Sequence, residues 1–275
     1  MPGGSGRLAI VHCRFLKKKT RLHPNRMILL DLVVPFYNPQ PGWELKFVSR
    51  FQQLVRDYFQ GDPDSIHVVV VNDGSTVRFT EKETGYLQQH IPRLKTVCYS
   101  ENRGKGFALR TGVAEAVSDY CIYSDNDFPF GLEAIRQIYD ALRQGADIVT
   151  GHRTNGNYFR HLPFKRKVIS KGLTLVNKYL LRLPVSDTQA GIKGFNRLGR
   201  KLFLDTTTDR FLFDMEFILL AGKVKGIRIK ELPVNIRAGV KMSDFSSGIM
   251  KQEFKNLLRI IFKKKQGRQN REELM

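Results

Sequence analysis

No apolar run in this chain reaches the roughly 20 residues that a bilayer-spanning helix needs. The longest candidates, Met27 to Tyr37 and Phe211 to Ala221, are each interrupted by an aspartate, so no spanning helix is expected. A secretory signal is not expected either, because the apolar stretch Leu8 to Val11 is too short for one. Residues 1–26 carry Arg7, Arg14, Lys17, Lys18, Lys19, Arg21 and Arg26 and no acidic residue. They read as a flexible basic tail, and Met27, directly before the first strand, serves equally well as a start. Cysteine is scarce: Cys13, Cys98 and Cys121 are an odd count without metal-ligand spacing. That suits a reducing cytoplasm and argues against a disulfide scaffold. Acidic residues are also few, 26 against 46 Lys and Arg, leaving a formal charge of +20. Such a chain seeks polyanions: nucleic acid, an anionic membrane surface or phosphorylated substrates. No recognised nucleic-acid motif accompanies the charge, which falls mainly in the tails and one helix, so nucleic acid is not an expected partner.

What is present is a long α/β pattern. A chain of 275 residues with 41% hydrophobic content can bury a full core. Apolar runs suited to buried parallel strands occur at Ile28–Val34, Ile66–Val71, Lys95–Tyr99, Tyr120–Tyr123 and Asp147–Val149. Helical patterns lie between them at Glu44–Gln60, Gly106–Ala116 and Leu132–Arg143. This alternation predicts right-handed crossovers and a doubly wound, mostly parallel sheet with flanking helices. Further on, the pattern predicts a basic helix over Phe164 to Leu183, a short strand, a helix over Asp214 to Lys225 and a strand over Ile227–Val234. The last helix, Ser246 to Lys265, is amphipathic and basic. It suits a membrane surface, or equally a helix packed on the domain with a solvated end. The division expected is a tail (1–26), one domain (27–245) and a basic helix with its tail (246–275).

Ligands of such sheets bind beyond the carboxyl ends of the strands, and four polar motifs follow strands in that position. The first, Pro35-Phe36-Tyr37-Asn38, makes a rigid lip able to stack on a base, although Pro-aromatic turns are common. In the second, Asn72-Asp73-Gly74-Ser75, Asp73 is a free acceptor for a base or ribose, or else an Asx-turn cap. The third, Asn102-Arg103-Gly104-Lys105-Gly106, lets backbone amides and Lys105 approach an anion at a helix N-terminus. It is not a Walker loop, and no G-x-G-x-x-G follows the first strand, which makes a dehydrogenase unexpected. The fourth, Asp125-Asn126-Asp127, is a D-x-D. On an extended strand its two carboxylates would share one side, about 7 Å apart, and would repel unless a cation sits between them. A solvated acidic turn is the competing reading for the D-x-D alone.

Together these motifs resemble the family 2 glycosyltransferases of GT-A fold. Gly151-His152-Arg153, Asp187-Thr188-Gln189-Ala190-Gly191-Ile192-Lys193 and Phe213-Asp214-Met215-Glu216 resemble its polyprenyl-phosphate branch, which includes the dolichyl-phosphate mannose and glucose synthases. The resemblance spans roughly residues 28 to 245. It implies an inverting hexosyltransferase that takes a UDP- or GDP-sugar donor and a polyprenyl or dolichyl phosphate acceptor. Mg²⁺ or Mn²⁺ is implied as the cofactor, and the cytoplasmic face of a membrane as the place of action. On this reading Pro35, Tyr37, Asp73, Lys105, Asp125 and Asn126 bind the nucleotide sugar, and Asp127 with Asp125 holds the metal. Asp125 serves either the ribose or a metal water.

Asp127, Asp214 and Arg153 are the implied catalytic residues, with Arg166, Lys193, Arg237 and Lys241 at the acceptor phosphate. A lipid phosphate is already ionised at neutral pH and needs cationic anchoring rather than a strong base. A hydroxyl acceptor would need one, and Asp214 is then the first choice. Asp214 and Glu216 also suit a bland role as carboxylates at a helix N-terminus. Three departures stand out: Pro39 follows Asn38 where a glutamate is usual, Pro129 occupies the place of a metal-holding glutamine, and Lys193 replaces an arginine fork. Asp187-Thr188-Gln189 leans toward the glucose-type branch.

Overall fold

The computed structural model describes residues 27–153 and 183–237, together with positions 172, 256 and 257. Strands β1 (Leu30–Phe36), β2 (Ile66–Asp73), β3 (Leu94–Tyr99), β4 (Cys121–Ser124) and β5 (Ile148–Arg153) alternate with helices α1 (Trp43–Tyr58), α2 (Glu81–His90), α3 (Lys105–Ala114) and α4 (Glu133–Arg143). After them come β6 (Ile192–Phe195), α5 (Arg197–Leu204), α6 (Phe213–Ala221) and β7 (Ile229–Val234). The seven strands form one sheet in the order β3-β2-β1-β4-β6-β5-β7. Every pairing is parallel except those of β6, which runs antiparallel to β4 and β5.

The apolar runs predicted as strands are continuous because both faces of the sheet are covered. On β1, Leu30, Leu32, Val34 and Phe36 enter the core shared with α1 and α4, whereas Val33 enters the core shared with α3, α5 and α6. That split follows from the two-residue period of a strand. Helix α2 was not expected from the sequence, since Glu81–His90 is largely polar. It is set by a capping box in which Thr80 and Glu83 satisfy each other's backbone donors. Helix α5, also unexpected, starts at Asn196, whose side chain accepts from the amides of Leu198 and Gly199.

Among the described residues no helix is long and apolar enough to cross a membrane. The basic tail, most of the predicted helix 164–183 and the predicted helix 246–265 lie outside the described residues, apart from isolated positions. Cys121 on β4 is buried and free.

Candidate active site

The ends of β1 and β2 are tied to each other. Asn38, with φ of 42°, donates its amide to Ser75 Oγ at 2.9 Å and accepts from the Thr76 amide at 2.9 Å. Asn72 accepts from the Ser75 amide at 2.8 Å, closing the Asx turn. Pro35 is tolerated inside a central strand because the β4 ladder ends at Val33↔Tyr123. Of the first motif it is Tyr37, 52% exposed, that offers a ring to solvent.

Asp73 is not the free acceptor expected above the sheet. It is buried, and it accepts from Tyr99 Oη at 2.8 Å, Asn102 Nδ2 at 2.9 Å and the amides of Arg103 and Gly104 at 2.8 and 3.1 Å. The Asn102–Gly104 loop folds over the β2 end and takes up the carboxylate. Gly74, with φ of +67°, permits this approach: a Cβ there would stand 2.3 Å from the Glu101 carbonyl carbon. Burial raises the Asp73 pKa despite the opposing pull of the Arg103 amide and Tyr99. Tyr99 and Asn102 are the residues whose roles sequence reading did not assign. Tyr99 reads as one more apolar strand residue, and the only available hint is that a buried phenol needs a partner.

The D-x-D also differs from its expected geometry. Strand β4 stops at Ser124, and Asp125 to Asp127 lie in a turn closed by Phe128 N donating to Asp125 O at 3.0 Å. Phe128 takes a φ of 47° so that its ring can bury against Phe47, with centroids 5.7 Å apart. The pleat therefore does not align the two carboxylates. Asp125 binds the Lys105 ammonium from the first turn of α3, while Asp127 is exposed and Asn126 half-buried. Although the side chain reaches solvent, partial desolvation at the turn and then the Asp125 charge raise the Asp127 pKa, against the pull of Arg237 and Lys105.

Such a donor set suits a hard divalent cation. Mg²⁺ commonly takes one or two carboxylates and completes its shell with phosphate oxygens and water. No group of three or more metal-ligating side chains forms among the described residues. Asp125 and Asp127 would thus act with substrate oxygens, and Pro129 supplies no side-chain donor.

Beneath this turn lies a second ion pair. Asp214, at the start of α6, receives the Tyr123 hydroxyl and faces Lys193 Nζ at 2.9 Å. Lys193 is 0% exposed and also donates to the carbonyls of Thr188 and Ala190 at 2.9 and 2.8 Å. Burial pushes Lys193 down and Asp214 up, each held back by the charge of the other. Lys193 thus lies under the Thr188–Ala190 turn and not at an acceptor phosphate, which corrects that expectation. Asp214 is sealed from solvent, unlike an accessible base. Its neighbour Glu216 accepts from the amides of Thr207 and Thr208 at 2.9 and 2.7 Å, the bland structural role.

Arg153, at the end of β5, forks onto Asp187 through Nε at 2.6 Å and Nη2 at 2.8 Å. Burial would raise the Asp187 pKa, but the Arg153 guanidinium outweighs it and holds the carboxyl low. Arg237 holds the D-x-D turn, donating Nε to Phe128 O at 2.9 Å and Nη2 to Asp127 O. Both arginines therefore bind protein groups in this conformation. Arg166 and Lys241 lie outside the described residues.

A strand-end site of this kind on a mostly parallel sheet can be set against known proteins. The model for glycosyl transferase family 2 matches residues 31–203. The chain belongs to that family. It is a glycosyltransferase, with the mixed α/β architecture of the GT-A enzymes.

Among curated relatives, a dolichyl-phosphate beta-glucosyltransferase of Dictyostelium discoideum is 27% identical over 88% of this chain and 76% of its own. The dolichyl-phosphate beta-glucosyltransferase of Saccharomyces cerevisiae is 28% identical over 76% of this chain and 66% of its own. A dolichol-phosphate mannosyltransferase of Pyrococcus furiosus is 28% identical over 74% and 55%. The chain thus spans between about half and three quarters of the length of these relatives. Among solved structures, glucosyl-3-phosphoglycerate synthase from Mycobacterium tuberculosis, in complex with Mn²⁺, UDP-glucose and phosphoglyceric acid, superposes with a TM-score of 0.57. It is 16% identical over 84% of this chain and 79% of its own. Mannosyl-3-phosphoglycerate synthase from Rubrobacter xylanophilus gives 0.57 at 13% identity over 87% and 75%. At such identity the likeness is one of fold.

Proposed function

We propose that this glycosyltransferase moves a hexose from a UDP- or GDP-sugar to a polyprenyl or dolichyl phosphate, with inversion and with the help of Mg²⁺ or Mn²⁺. The names of the relatives support the acceptor class. The observation that carries the choice is the burial of Asp214 under Lys193 and Tyr123. A hydroxyl acceptor requires an accessible base, and the first candidate for that role is sealed. A phosphate acceptor arrives ionised and needs none.

On this reading Tyr37 stacks on the nucleobase and Lys105 neutralises the donor diphosphate. Asp73 acts by holding the Asn102–Gly104 loop in shape. Asp125 and Asp127 would hold the divalent ion, which when bound supplies Lewis-acid stabilisation of the departing nucleoside diphosphate. Arg153, Arg166, Arg237 and Lys241 are the cations on the acceptor side. For Arg153 and Arg237 this means exchanging protein oxygens for phosphate oxygens. The domain so defined runs over 27–245, flanked by a basic tail and a basic helix.

Thermal shift tests the donor half. A bound ligand stabilises the native state by mass action, so one nucleotide-sugar class should raise the melting temperature more with Mn²⁺ than without it. No shift with any UDP- or GDP-sugar counts against the reading. Peripheral attachment to an anionic membrane is the companion proposal, since each Lys or Arg near such a surface contributes about 1 kcal/mol. Deleting residues 246–275 should weaken liposome binding more than nucleotide binding, and equal liposome binding by the shortened chain refutes it.

A further inference from the structure

Asp125 is held from both sides. The Lys105 ammonium binds Oδ1. Oδ2 lies against Gly191, where an added Cβ would stand 2.3 Å from Oδ2 and 3.1 Å from Lys105 Nζ. The pair is packed directly against the Gly191 backbone. The root of Lys105 is fixed, because the next residues of α3 are pressed onto the 208–209 loop: Phe107 N donates to Asp209 O at 3.1 Å. Its side chain is unbranched and can swing. The charges of Asp214 and Asp127 also act on Lys105, with Arg237 and the buried Lys193 as the opposing cations.

We propose that Lys105 is an internal counter-ion which competes with the divalent cation for Asp125 and releases that carboxylate when the donor diphosphate arrives. The release step rests on the function proposed above, whereas the competition step does not. An ammonium and a divalent ion on one carboxylate repel each other. The diphosphate offers Lys105 replacement anionic oxygens, so the lysine can turn to the donor and leave Asp125 to the metal. A lysine suits this exchange, being a point charge on a flexible stem. Metal and nucleotide must then tighten each other's binding by the same factor. Lys105 is accordingly a positioning residue for the metal as well as a contact for the donor.

The test is a Mn²⁺ titration of the full chain followed by the electron paramagnetic resonance of the free ion, for wild type, Lys105→Met and Lys105→Gln, with and without UDP or GDP. Circular dichroism melting confirms that each variant is folded, and two substitutions guard against one that is not. Without nucleotide, the variants should bind Mn²⁺ roughly tenfold more tightly, the scale of removing a unit charge a few ångströms from a divalent ion near water. The nucleotide should tighten Mn²⁺ binding in wild type and do so less in the variants. Equal or weaker Mn²⁺ binding by the folded variants overturns the proposal. Tighter binding by the variants with no nucleotide effect in wild type overturns the release step and the donor reading, and sustains the competition.

Discussion

Lys193 Nζ lies 2.9 Å from Asp214 Oδ1, and both side chains are buried beneath the D-x-D turn. The pair joins the Thr188–Ala190 turn to the start of α6. Removing one member leaves a charge without its partner in the interior. Lys193→Met should therefore destabilise the fold by about 3–5 kcal/mol. The paired change Lys193→Met with Asp214→Asn should recover much of that loss, read by urea denaturation. A double variant that loses the sum of the Lys193→Met and Asp214→Asn losses would show that the two residues do not act as a pair.

Asp127 is exposed and makes no contribution to the core. Asp127→Ala should keep the melting temperature within a degree or two, since surface changes are usually within about 0.5 kcal/mol. Turnover should fall by at least about a hundredfold, the scale of deleting one electrostatic group aimed at the developing charge. Retention of most activity sinks its assignment as a metal holder.

Asp31, at the opposite end of the sheet, is fully buried and accepts from the Val117 and Ser118 amides at 3.1 and 2.7 Å and from His67 at 2.6 Å. Burial opposes its charge, but His67 and the Ser118 and Val117 donors together outweigh burial and lower its pKa. A lowered folded value means stability that is present above the unfolded value, about 3.9, and is lost as pH falls through the folded one. Asp31→Asn should cost about 2–3 kcal/mol at pH 7. The gap from wild type should hold between pH 5 and pH 7 and close below pH 4, as followed by acid unfolding. A gap that is unchanged at pH 3 contradicts the assignment.

Much of the fold was legible because its strands are covered on both faces and so form unbroken apolar runs, as at Ile66–Val71. Helix α2 was not, because Glu81–His90 depends on a capping box and carries little apolar periodicity. The motifs of the site were found, but not what each carboxylate does. Asp73 is taken up by donors 26 to 31 residues away, and Asp125 by a lysine 20 residues away. Those distances close only through the crossovers of the sheet. The D-x-D lies in a turn and not on the strand, because β4 stops at Ser124 and the left-handed Phe128 that closes the turn leaves no mark in local composition. Lys193 was expected at the acceptor phosphate, and only its antiparallel strand, wedged between β4 and β5, puts it inside.

The acceptor is the central claim, and the product of transfer tests it most directly. The protein is incubated with radiolabelled UDP- and GDP-hexoses, Mn²⁺ and a polyprenyl phosphate in detergent, and the organic phase is treated with mild acid. The account predicts a lipid-linked sugar phosphate that forms only with the lipid phosphate and releases its sugar in acid. Label carried instead by an acid-stable glycoside on a hydroxyl acceptor, with none on the lipid phosphate, would contradict it.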